Sequence, residues 1–492
     1  MLIALAALPI LLILILMLGA GWSAAKAGLS GLAAALLIAW LAFGYGTTLL
    51  PELGLGATGG ALLEAGFSAF TILWIIFPAL CIHQLQQRSG ALATLQAAMA
   101  RLSTNPVVVA LLVAWFFALF IEGAAGFGTS AALAAPLLVS AGFNPIQAVT
   151  IALIGHSVGV SFGAVGTPVL PQIALGFDGT ELAATTSLFH GLLGWLMALI
   201  VMWLAAKGQR PWGLALAAAA FFLVPMVLLA HLIGPELPTL GGALLGGLAF
   251  VALVRRSSAP VADAAPTGNL LLAATPYLAL VGLVLVTRLV PPVNEALTSV
   301  RLGWELSIFS GSIQPLYHPG TLLLASFIIA ALVQRVPASS VRQAMGGALA
   351  QIAPVTLALF VMLGLSRLML HSGMITTLAE ATANLAGAGY PLLAPFVGML
   401  GSFVTGSATA SNILFSDFQL ATARALELPP VAILGAQGFG AAVGNIISPH
   451  NIIAAGATVG LAGKEGQVLR RTLGPALLYA ALGGVLVLLL VR

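Results

Sequence analysis

The chain has 492 residues, 60% hydrophobic and only 6% charged, with a formal net charge of +4. Soluble domains carry about 25% charged residues, so a soluble enzyme or a nucleic-acid binder is excluded and the chain reads as an all-α polytopic membrane protein. Its one cysteine, Cys81, leaves no internal disulfide and no cysteine metal cluster, and no metal or cofactor is expected.

The first stretch, 2–20, is almost purely apolar and lacks the basic start of a cleaved signal. It reads as the first transmembrane helix. Further apolar runs lie at 27–43, 62–84, 106–142, 145–176 (interrupted at Pro168), 182–206, 212–233, 237–254 and 270–289. The rest are 319–333, 349–370, 390–426, 430–461 (interrupted at Pro449) and 473–491. Each is set against the roughly 20 apolar residues a span needs. The polar segment 255–269 reads as a flexible linker between halves. The long loop 289–318, with Trp304, receives no role.

The basic residues orient the spans. Lys26, Arg88, Arg101, Lys207, Arg210, Arg255, Arg256, Arg335, Arg342, Lys464, Arg470 and Arg471 fall on one side. Arg288, Arg301, Arg367, Arg424 and Arg492 fall on the other. The positive-inside rule makes the larger set cytoplasmic and the N-terminus external.

Within 106–142 the stretch Phe120-Ile-Glu-Gly-Ala-Ala-Gly-Phe-Gly-Thr-Ser130 places Glu122 alone in an apolar surround, followed by Gly123, Gly126 and Gly128 and the hydroxyls Thr129 and Ser130. An acid at membrane depth is costly and marks function by default, and glycines there let backbone N–H groups approach a ligand. The bland alternative is a tight helix crossing with a stray interfacial acid.

The chain also contains itself twice. Arg88-Ser-Gly-Ala-Leu-Ala-Thr-Leu95 reads like His371-Ser-Gly-Met-Ile-Thr-Thr-Leu378, an offset of 372 − 89 = 283 that also places Glu122 on Thr405. Further on, at 448 − 167 = 281, Thr167-Pro168 falls on Ser448-Pro449. Each copy therefore has a small-residue tip and a proline break. The charge count puts Ser89 inside and Ser372 outside, so the copies read as inverted repeats with re-entrant hairpins and broken helices, a build of secondary transporters. The units are scaffold helices 1–61, a transport repeat 62–206, connecting helices 207–348 and a second transport repeat 349–492.

Free helix starts at tips and breaks suit an anion. The binding set is Gly123, Gly126, Gly128, Thr129, Ser130, Gly166, Thr167, Thr405, Gly406, Ser407, Thr409, Ser411, Asn412, Asn445, Ser448, His450 and Asn451. Neither motif holds an arginine, so helix ends and hydroxyls are expected to hold the anion. Glu122 is the leading proton carrier, with His156 and Asp417 as further coupling candidates; burial disfavours the charged form of a carboxyl group.

At these residues the chain resembles the bacterial L-lactate permease family. The resemblance rests on Phe120 to Gly128, Phe162-Gly-Ala-Val-Gly-Thr-Pro168, Thr405-Gly-Ser407 with Ser411-Asn-Ile-Leu-Phe415, Ile447-Ser-Pro449 and Gly460-Leu-Ala-Gly-Lys464. It implies an ion-transporter-like permease of the bacterial cytoplasmic membrane that imports L-lactate, D-lactate or glycolate with H⁺. The chain departs from the family pattern at Ala408 (an acid expected), Asn445 (a lysine) and His156 (an asparagine), which puts the substrate and the coupling ion in question. A Na⁺-coupled carrier of another small carboxylate is the nearest alternative, an anion channel the next, and a homodimer is a candidate assembly. An intramembrane enzyme is set aside for want of a His-Glu-x-x-His zinc motif and of a serine nucleophile elbow.

Overall fold

Backbone polar groups find no partner in hydrocarbon, so apolar runs of this length close their hydrogen bonds as helices. The computed structural model describes residues 1–100, 103, 105–126, 128–206, 208, 210–257, 268–461 and 464–491. Arg101, Lys207 and Arg492 of the charge count, Phe127 of the signature, residues 258–267 of the linker and 462–463 lie outside them. Ten helices among the described residues are long and apolar enough to cross a membrane, or up to 12 if each of two bent pairs counts as one span.

Two helices, Leu55–Arg88 and Ala338–His371, are 34 residues each. At about 1.5 Å per residue they exceed a hydrocarbon core of roughly 30 Å, so they tilt or project. Each is followed by a short helix, Ala91–Ala100 or Met374–Ala386, so the same order of elements recurs in both halves. Residues 62 and 349, where the sequence suggests unit boundaries, lie inside the long helices.

Next in each half comes a hairpin. Pro106–Ala124, wound as a π-helix over Leu111–Phe117, turns at Gly126 and Gly128 into Thr129–Ser140. Tyr390–Thr405 turns at Gly406 into Ala408–Ala425. Gly126, Gly128 and Gly406 have φ of 59°, 77° and 75°, a region L-residues enter at a cost. Glycine is therefore what the tips require.

A broken helix completes each half. Pro145–His156 starts on Asn144, whose side chain accepts from Gln147 N at 2.9 Å, with Pro145 at the position where a missing N–H costs nothing. It tightens into a 3-10 segment, Ser157–Phe162, and breaks at 163–166, upstream of Pro168. The proline opens the continuation and does not itself make the break. Ala164 and Val165 take φ of 42° and 55° there, strained for a β-branched residue. In the second half Pro430–Asn445 breaks at 446–448 and resumes at Pro449–Ala457, bent by 40°.

The helices pack around two main cores. One joins the first hairpin and both broken helices, with Trp115, Phe222 and Phe439 buried. The other joins the N-terminal helices Leu2–Leu18 and Ala24–Leu41 to the two long helices. Ala408–Ala425 serves both, giving Phe415 to the second core and Ala423 to the first. Close approach depends on glycine: a Cβ on Gly398 would meet the carbonyl oxygen of Gln437, and one on Gly440 that of Pro395.

The loop 289–318 is ordered. It holds the helix Pro291–Thr298 and an antiparallel hairpin, Leu302–Leu306 with Phe309–Ile313, which is the one sheet among the described residues. Arg288 pairs with Glu236 at 2.8 Å and donates to Tyr317 O, tying the loop to the bundle. The ribbon rests on the long helices: Ser310 N donates to Glu64, and Phe309 lies edge-on to His371.

Candidate functional site

The two tips and the two breaks meet. One cavity of about 20 Å³ is lined by Glu122, Gly126 and Gly128 from the first tip, and by Gly163, Ala164, Thr167 and Pro168 from the first break. Gly406, Ser407, Ala408 and Thr409 of the second tip, Asn445 before the second break, and Val160 complete it. About 15 Å³ of such space holds one water, so a substrate larger than water must part these segments to enter.

Glu122 is 5% exposed and is the one charged group lining the cavity among the described residues. Its Oε2 accepts from Ser130 Oγ at 2.6 Å, so the first residues of one hairpin arm hold the acid of the other. The second oxygen lies against the backbone of Gly163: a Cβ there would sit 2.5 Å from Oε1. His156 is buried within electrostatic reach of Glu122, and its Nδ1 is hydrogen-bonded to Ala152 O at 2.8 Å.

The segments also touch one another directly. Asn451 donates to Gly406 O at 3.4 Å and to the side chain of Asn445, and a Cβ on Gly128 would come 3.2 Å from Asn451 Oδ1. His450 is exposed and covers Gly406. Asn412 Nδ2 reaches across to Pro168 O at 2.7 Å. Two polar atoms beside this junction, Ser448 Oγ and Asn451 Oδ1, are buried without a hydrogen-bond partner among the described residues. Ser448 stands at a helix start, yet its hydroxyl caps nothing. A buried unpaired polar atom costs about 1–3 kcal/mol.

Several residues of the sequence set lie elsewhere. Gly123 packs on the backbone of Leu240 and Gly166 on the carbonyl of Pro235, so both are contact glycines. Ser411 donates to Gly398 O and accepts from Gln437, inside a network with Gln419 that holds the second hairpin. Thr129 and Thr405 donate to Gly126 O and Gly401 O, which fixes the turns, while Thr167, which does line the cavity, donates to Ala164 O. Asp417 is not brought to Glu122. Nine positions past Ala408, about two and a half turns, it lines a second cavity, where it accepts from Ser366 Oγ at 2.8 Å. Ala164 lay within the Phe162 to Pro168 motif, whereas the other apolar wall, Val160, carried no sequence signal.

The serine elbow needs a correction. Gly155-His-Ser-Val-Gly159 has the Gly-x-Ser-x-Gly spacing. Ser157, however, is fully buried between helical segments and donates to Ile154 O at 2.7 Å, with no strand before it. The strand-turn-helix context that exposes a nucleophile is missing at this motif.

A profile of the family described as L-lactate permease matches residues 2–314 and 304–492. The chain is 30% identical to an L-lactate permease of Streptococcus iniae over 394 residues, 76% of this chain and 82% of that protein. It is 27% identical to a glycolate permease of Escherichia coli (strain K12) over 478 residues, 86% and 85% of the two chains. Among solved structures it resembles the YdaH transporter of Alcanivorax borkumensis, of unusual topology, with TM-score 0.51, 18% identity and 90% of each chain covered. At that identity the likeness speaks for the fold alone.

Proposed function

We propose, from the premise that this chain belongs to the L-lactate permease family, that it imports a small 2-hydroxy monocarboxylate together with a proton. A permease of this family is a multi-pass membrane transporter and not an enzyme. The observation that carries the finer reading is the shared cavity: two tips and two breaks converge on one carboxyl group. Gly128 and Ala408, at the starts of two helices, line the cavity, and a helix start favours negative charge, while the Ser448 hydroxyl has bonding capacity to spare. An anion is held by the helix ends, and the proton travels on Glu122, with His156 within reach of its charge. Ala408 and Asn445, where an acid and a lysine were expected, line the same cavity. Replacing both together leaves its net charge unchanged, which fits a substrate still bearing one negative charge. The names of the relatives, lactate and glycolate permeases, suit that class.

Uptake of labelled lactate and glycolate into proteoliposomes under imposed H⁺ or Na⁺ gradients tests this. Accumulation driven by an inward proton gradient and collapsed by a protonophore is the expected result. Accumulation driven only by Na⁺ favours the sodium-coupled alternative, and equilibration without accumulation favours a channel.

The repeats are inverted in this reading, with the N-terminus outside the bacterial cytoplasmic membrane. Single cysteines at Ser89 and Ser372, in a chain with Cys81 replaced, should label from opposite faces of the membrane. Labelling of both from one face sinks the inversion.

A further inference from the structure

The second cavity, of about 40 Å³, lies between both long helices and Ala408–Ala425. Ser68 and Thr71 come from one long helix, Ser366 and Arg367 from the other, and Asn412 and Asp417 from the third. Arg367 forms no hydrogen bond or ion pair among the described residues, and Ser416 Oγ, in the same lining, is buried and unpaired. Asp417 is turned to Ser366, not paired with the guanidinium. Asp417 and Glu64 lie within electrostatic reach of Arg367 without a hydrogen bond to it, so its planar fork, which matches a carboxylate in two parallel hydrogen bonds, is open to an incoming one.

The chain segment 167–171 contributes to both cavities. Thr167 and Pro168 line the first, Leu170 and Pro171 the second. Asn412 lines the second cavity and donates to Pro168 O at 2.7 Å.

We propose that Arg367 holds the carboxylate of the transported acid in a second subsite, next along the path to the Glu122 cavity, and that Asp417 switches this subsite by its ionisation. The proposal deepens the carboxylate-transport reading and rests on it. When ionised, Asp417 offsets the charge of Arg367. When it has taken up a proton, the guanidinium is left for an incoming anion, so proton and carboxylate enter together. The charged groups acting on Asp417 from its neighbours are Arg367 and His371 on Ala338–His371 and Glu64 on Leu55–Arg88. Glu64 is paired with His371 at 2.8 Å and also lies within reach of Arg367, so Asp417 shares the field of the guanidinium with it.

Equilibrium binding of labelled L-lactate to the purified transporter, at acidic and alkaline pH, is the test. The wild type should bind two molecules per chain at acidic pH. Arg367→Gln should bind one, with KM for uptake raised about tenfold, the effect of roughly 1.4 kcal/mol of lost binding. Arg367→Lys, which keeps the charge, should recover most of that loss, whereas an arginine needed only for folding would lower yield and melting temperature without moving KM. Asp417→Asn should bind two molecules at both pH values. One molecule per chain in the wild type, or unchanged KM and stoichiometry in Arg367→Gln, overturns the proposal. If Arg367→Gln does not fold, Asp417→Asn with wild-type pH dependence overturns it. Ser448→Leu separates the two readings. It should leave one molecule bound, at Arg367, and abolish transport; two molecules bound there would refute the tip cavity and not the Arg367 subsite.

Discussion

Glu122→Gln should abolish proton-driven accumulation while leaving exchange of internal for external lactate intact. Glutamine has the shape of the protonated acid and can still accept from Ser130 Oγ, so the packing of the tip survives. It carries no proton. A gradient of one pH unit, about 1.36 kcal/mol per proton, sustains roughly a tenfold inside-to-outside ratio in an electroneutral symporter. In the variant that ratio should fall to parity at every imposed gradient. The sign follows from the cycle: a low external pH drives uptake by loading the carrier outside, and a side chain that cannot load responds to pH on neither face. A merely structural glutamate predicts another outcome, in which exchange, accumulation and protein yield fall together. Undiminished accumulation would remove Glu122 as the carrier and bring His156 forward.

Gly163→Ala should be nearly as damaging, through a single methyl group. The backbone of Gly163, φ −63° and ψ 157°, is open to any residue, so alanine meets no conformational penalty. The new Cβ would instead sit 2.5 Å from Glu122 Oε1 and 3.3 Å from its Cδ. Both cannot stay in place, and overpacking of this kind costs roughly 1–3 kcal/mol, equivalent to about 5- to 150-fold if it falls on the transport cycle. Rates of exchange of internal for external lactate, which need no proton carrier, in the single variants and in Gly163→Ala with Glu122→Ala give the check. Once the larger side chain is gone, the added methyl should have almost no further effect. A full, additive loss in the double variant would mean that the methyl acts on the bend and not on the carboxyl group.

Much of this architecture is legible in the chain itself, because the forces that dictate it are local. Apolar runs must become helices in a bilayer, Asn144-Pro145 supplies a cap and a proline-tolerant start, and tips that need positive φ hold Gly126, Gly128 and Gly406. The repeat offset even matches two 34-residue helices, 55 + 283 = 338. Which polar groups meet is a different matter. Gly123 and Gly166 read as ligand-facing, yet they admit neighbouring backbone, because a glycine's partner is decided by the helix packed on it. Asp417 sits only five residues past Asn412, but the helix places it in the second cavity, where it accepts from Ser366. The left-handed turn at Ala164 and Val165 contradicts the local preference of both residues and exists only because surrounding contacts impose it. The ribbon at 302–313 is anchored through Ser310 and Phe309 to Glu64 and His371, residues remote in sequence. Local chemistry therefore determined the helices, their ends and the glycine tips. Tertiary packing decided that Glu122 faces the junction of both halves and that Arg367 stands with Asp417 in a separate cavity, because side-chain encounters across distant helices depend on rotation and approach that no short stretch of sequence encodes.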